Sequence, residues 1–125
     1  MITGIHTLIY AENAEATRAF FRDVLGLSFV EAHPGWLIFA LPPAEVGVHP
    51  AEGGPGSPPC GTHEMYLMCD DVEKTVMELR DRGVEFATPI SDQGWGLLTT
   101  LRIPGGGTIG LYEPRHPVAA SSASF

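Results

Sequence analysis

Apolar and polar positions alternate from Ile5 to Ala11, with Ile5, Thr7 and Ile9 on one face and His6, Leu8 and Tyr10 on the other, as in a half-buried strand. The period then changes. Ala16, Ala19, Phe20 and Val24 fall at i, i+3, i+4 and i+8, which predicts a helix packed on the strand layer. Asn13 stands where its side chain can accept from the first free helix amides, and Gly26 stands where the helix must end. Leu27 to Ala32 reads as a second strand, His33-Pro34-Gly35 as a turn, Trp36 to Leu41 as a third strand, and Glu45 to His49 as a short fourth.

The same succession returns in the second half. Glu64 to Asp70 alternates, Asp71 caps, and Val72, Val76 and Leu79 form the buried helical stripe before Gly83. Val84 to Ala87, Leu97 to Ile103 and Thr108 to Tyr112 read as strands, with Trp95 in the loop from Thr88 to Gly96. Placing His6 over Glu64 (64 − 6 = 58) also aligns Asn13 with Asp71, Thr17 with Thr75 and Arg22 with Arg80. A period near half the chain length signals two copies of one supersecondary unit. The expected organisation is one domain over residues 1–113: module one at 1–50, a Gly/Pro linker at 51–62, and module two at 63–113. A flexible tail is expected at 114–125. Three strands after each helix argue against a ferredoxin-like sheet, which has fewer.

Composition narrows the function classes. A formal charge of −8 with scattered basic residues argues against a nucleic-acid surface, which needs clustered Lys and Arg. No stretch approaches the roughly 20 apolar residues of a membrane span, and no leader pattern opens the chain, so a cytoplasmic protein is expected. Cys60 and Cys69 lack metal spacing and read as free thiols.

Four stretches carry a family resemblance: Phe20 to Leu27 (FFRDVLGL), Asp70 to Val76 (DDVEKTV), Arg82 to Phe86 (RGVEF) and Pro104 to Leu111 (PGGGTIGL). With the paired modules, they resemble the vicinal oxygen chelate superfamily of glyoxalases, bleomycin resistance proteins and extradiol dioxygenases. The resemblance implies an α+β fold: two βαβββ modules forming an incomplete mixed β-barrel, helices outside, a small-molecule ligand in the cleft, and a homodimer. Metal-dependent members draw ligands from the first and last strands of each module. His6 and Glu64 occupy the two first-strand positions, but Gly47 and Gly110 stand where the last strands usually carry a carboxylate.

His49 and Tyr112 lie two residues beyond those glycines on the same face, so His49 sits roughly 6–7 Å past the usual donor. A displaced site of His6, His49 and Glu64 would be a two-histidine, one-carboxylate set suited to a divalent ion, Fe, Zn, Mn or Ni. Glu113 is an alternative acid, but its parity matches Ile109 and Leu111 and turns it toward the helix layer. Tyr10, Tyr66, Trp95, Arg102 and Tyr112 are the expected substrate contacts, and Glu64, if not a ligand, is the candidate general base.

The expected function is a metal-assisted enzyme, with a metal-free binder as the alternative. In one, a divalent metal polarises an oxygen-bearing substrate for lyase, isomerase or dioxygenase chemistry. In the other, the cleft is metal-free and holds an antibiotic or another aromatic compound, because two glycines replace charged donors with space. Nothing specific supports a third role as a scaffold for a partner.

Overall fold

The structure is a computed structural model that describes residues 7–9, 11–45, 47, 53–60 and 62–117. Among these residues it is α+β, with two sheets and no closed barrel. In the first half, α1 (Ala14–Ala19) runs on into a π-helical turn (Phe20–Val24), and a hairpin of β1 (Phe29–His33) and β2 (Trp36–Phe39) follows. In the second half, β3 (Tyr66–Met68), α2 (Val72–Asp81), β4 (Phe86–Asp92), β5 (Gly96–Ile103) and β6 (Gly107–Pro114) make a four-stranded sheet in the order β3-β6-β5-β4. This sheet is mixed, with β3 parallel to β6 and the other pairs antiparallel.

The expected capping chemistry is present. Asn13 Oδ1 accepts from the Ala16 amide at 3.0 Å, and Asp71 Oδ1 accepts from the Lys74 amide at 3.1 Å. Gly26 and Gly83 take φ of 68° and 86° just past their helices, a left-handed geometry that costs a residue without Cβ little.

One layer of helices covers one face of the large sheet. Val72, Val76 and Leu79 of α2, with Phe20 and Phe21 from the π-helical turn, pack on Leu101, Ile103, Ile109 and Leu111. The halves are tied at a defined joint. The Thr17 hydroxyl, in a residue only 5% exposed, donates to Pro104 O at 2.9 Å, the Asn13 amide donates to Gly105 O at 3.1 Å, and Arg82 Nη1 donates to Val24 O at 2.9 Å. A Cβ at Gly105 would lie 2.6 Å from Asn13 Cβ, and one at Gly106 would lie 2.8 Å from Thr17 Oγ1. The triple-glycine turn is therefore the seat on which α1 rests.

Several element bounds differ from the sequence reading. Residues 7–9 and Ala11, the described part of the expected first strand, are irregular, as are Glu45 and Gly47 of the expected fourth. The loop expected from Thr88 to Gly96 is mostly strand, because β4 runs to Asp92. Pro89 is tolerated there since β4 is an edge strand, with register shifts on either side of Thr88. No described helix is long and apolar enough to cross a membrane.

Candidate functional site

The sheet face opposite the helices carries the candidate site. β3 alternates as expected: Met65, Leu67 and Cys69 pack toward the core, while Glu64 and Tyr66 are exposed on the other side. Tyr66 stands beside Gly110, and Met68 beside Tyr112, in the parallel β3–β6 register. Across β6, Gly110 faces Thr100 and Tyr112 faces Leu98.

Gly110 is the position from which a family carboxylate would project. Here it is filled from next door. The Tyr66 ring lies directly over it, so that a Cβ at Gly110 would collide with ring atoms Cδ1, Cε1 and Cγ. Gly96 plays the same part for Tyr112, since a Cβ there would come within 2.9 Å of Tyr112 Cδ2. With both side chains absent, three rings close on one another edge to face: Tyr66–Trp95 at 6.4 Å, Tyr66–Tyr112 at 5.9 Å and Trp95–Tyr112 at 5.2 Å between centroids. Tyr112 is buried, whereas Tyr66 and Trp95 remain 41% and 42% exposed and offer apolar surface to a ligand.

The polar rim is equally defined. The Tyr66 hydroxyl donates to Glu64 Oε2 at 2.7 Å, and this bond, with partial burial, pushes the Tyr66 phenol up to about 12. Burial raises the Tyr112 phenol, with the Glu45 carboxylate adding to the effect. Two residues that sequence reasoning passed over hold the triad in place. The Arg115 amide donates to Trp95 O at 2.9 Å and its guanidinium meets Asp92 at 3.1 Å, while His116 Nε2 lies 3.1 Å from the Tyr112 hydroxyl. Strand β6 thus reaches Pro114, and the segment through Pro117 is anchored by hydrogen bonds.

The other predicted residues are placed unequally. Arg102 borders a larger open cavity of about 850 Å³ on the helix side, with Glu12, Glu85 and Arg82. The aromatic face meets a smaller hollow of about 460 Å³ bounded by Glu64, Tyr66, Leu98, Thr100 and Gly110, with residues 7–9 on its far wall. We place the site at the smaller hollow, because Tyr66 and Glu64 line it and the Trp95 and Tyr112 rings pack on Tyr66 beside it. Glu113 is turned as its parity implied: its carboxylate accepts from the Val72 amide at 3.1 Å at the start of α2. His6, Tyr10 and His49 lie outside the described residues.

Of the expected divalent-metal set His6, His49 and Glu64, only Glu64 lies among the described residues. Glu64 is its sole carboxylate donor and already holds the Tyr66 hydroxyl, and the Tyr66 ring covers the Gly110 position. No group of three or more metal-ligating side chains occurs among the described residues.

The second half is a strand–helix–three-strand unit that brings Tyr66, Trp95 and Tyr112 together. The chain belongs to the Glyoxalase/Bleomycin resistance protein/Dioxygenase superfamily, whose family model matches residues 5–111. Solved structures agree in fold. An antibiotic binding protein from a Streptomyces species is 23% identical with a TM-score of 0.58, the match covering 90% of this chain and 99% of that one. A lactoylglutathione lyase from Agrobacterium tumefaciens is 22% identical at TM-score 0.60, covering 86% and 90%. A superfamily member from Sphaerobacter thermophilus is 25% identical at TM-score 0.59, covering 90% and 98%. No curated protein is similar enough to count as a match.

Proposed function

We propose that this protein is a metal-free binder of planar aromatic small molecules, of the kind that sequesters an antibiotic or a similar compound. The observation that carries this reading is the Tyr66 ring lying over Gly110, where a metal-ligating acid would otherwise stand. Around it, Trp95 and Tyr66 leave more than a third of their surface open, and the hollow of about 460 Å³ falls in the size range of ligand sites. The Streptomyces neighbour, named for antibiotic binding, supports the reading by fold.

The competing reading is a metal-assisted lyase or dioxygenase in which His6, His49 and Glu64 hold the ion, and the lactoylglutathione lyase supports it by fold. In that case Glu64 Oε1 would meet the metal while Oε2 keeps the Tyr66 hydroxyl.

Metal content and melting temperature separate the two. Protein purified without chelator should carry no stoichiometric divalent ion and should melt at the same temperature with added Ni, Mn, Zn or Fe(II), while planar aromatic antibiotics should raise that temperature. A bound ion near one per chain, lost in His6→Ala, would overturn the proposal.

A further inference from the structure

The two phenols of the aromatic cluster, Tyr66 at the hollow and Tyr112 beside it, share a direction of hydrogen bonding. The Tyr66 proton is committed to Glu64 Oε2, which leaves the phenol oxygen and Glu64 Oε1 able only to accept. At Tyr112 the same result arises by a different route. His116 Nδ1 lies 2.7 Å from the Pro117 carbonyl, and since a carbonyl only accepts, Nδ1 carries the proton. In the neutral ring Nε2 is then the acceptor, and it takes the Tyr112 hydroxyl proton at 3.1 Å. Both tyrosines are thereby left with oxygen lone pairs and no proton to give.

Among the described arginines, Arg115 is paired with Asp92 at 3.1 Å, and Arg102 borders the larger cavity. Described side-chain donors bordering the hollow are the Thr7, Thr100 and Thr108 hydroxyls and His63, and the Trp95 indole N–H lies beside Tyr66. The faces of Tyr66 and Trp95 carry the negative side of the ring quadrupole, which attracts cations. The chain as a whole carries −8.

We infer that the hollow selects planar aromatic ligands bearing a protonated amine or amidine over neutral or anionic ones. The donor on such a ligand would bond Glu64 Oε1 and the Tyr66 oxygen while its ring lies against Tyr66 and Trp95. This rests on the proposed binding role and adds to it the charge of the ligand.

A matched series of naphthalenes tests the inference by calorimetry at pH 7.5. 2-Naphthylmethylammonium should bind about tenfold or more tightly than 2-naphthylmethanol, with 2-naphthoate weakest, as one charge-assisted hydrogen bond implies. Glu64→Gln should bring ammonium and alcohol to within about threefold of each other. Glu78→Gln changes the net charge equally but lies on exposed α2 beside Lys74, so it should keep the preference and thus exclude general attraction to an acidic protein. Circular dichroism of Glu64→Gln should match wild type, because Glu64 is exposed. Equal affinity for ammonium and naphthoate, or a preference that survives Glu64→Gln, would overturn the charge selection alone. Failure of all three compounds to bind, or equal binding of all three to Tyr66→Ala, would overturn the binding role with it.

Discussion

Replacing Gly110 with Ala puts one methyl group where the Tyr66 ring lies. The added Cβ would stand 2.6 Å from Tyr66 Cε1 and 3.1 Å from Cγ, inside the 3.5–4.0 Å at which carbon atoms rest. Gly110 is not among the residues with positive φ, so the backbone itself accepts alanine and the whole effect falls on the ring. Tyr66 can swing outward, but it then gives up its hydrogen bond to Glu64, a net ~0.5–1.5 kcal/mol, and edge contacts with Trp95 and Tyr112 of about 0.5–1.5 kcal/mol each when fully made. Because Tyr66 is 41% exposed, these contributions are discounted, and an overall cost of about 1–3 kcal/mol is expected. For a chain of this size that lowers Tm by about 3–15 °C. Thermal melting of the double-mutant cycle isolates the cause. In a Tyr66→Ala background the ring is gone, and Gly110→Ala should cost nothing or stabilise slightly by restricting the unfolded chain. Equal cost in both backgrounds would refute the placement of the ring.

Three further outcomes follow from the same geometry. The Tyr66 phenol, raised from 10.0 to about 12, favours the folded state while protonated, so that stability is complete below pH 10 and is lost as pH rises to about 12. Absorbance titration of the three tyrosines should show a late-ionising phenol that moves to lower pH in Glu64→Ala, and no movement would contradict the bond. Leu101→Ala, at a fully buried site in the middle of β5, should cost about 2–5 kcal/mol in denaturant unfolding, whereas Met77→Ala on the exposed side of α2 should stay within about 0.5 kcal/mol. Exposed Cys60 should react with a thiol reagent well before Cys69, whose thiol is pushed up first by burial and whose Sγ lies 3.5 Å from Tyr112 O.

Much of the second half was legible because its elements follow local rules. The Asp71 cap, the Val72–Val76–Leu79 stripe, Gly83 and the alternation of Met65, Leu67 and Cys69 each depend on neighbours a few residues away. The parity argument also placed Glu113 correctly on the helix side. What the sequence could not reveal depends on long-range proximity. Gly110 announces space but not its occupant, and the occupant comes from the neighbouring parallel strand 44 positions earlier (110 − 66 = 44). The π-helical turn that delivers Phe20 and Phe21 together to the core breaks the 3.6-residue spacing, so Phe21 was missed while Val24 was expected inside and is only partly buried. Arg115 and His116 looked like the start of a polar tail. Only the fold brings them back against Trp95 and Tyr112, although the ring-bearing pair Tyr112 and His116 at a strand end was the available signal.

The measurement that bears most directly on the metal-free aromatic hollow is the affinity for 2-naphthylmethylammonium before and after exhaustive chelation, with Tyr66→Ala alongside. The expected result is one dissociation constant for untreated and chelated protein, and loss of binding in Tyr66→Ala. Binding that vanishes on chelation and returns with a divalent ion, or that ignores the removal of Tyr66, would contradict it.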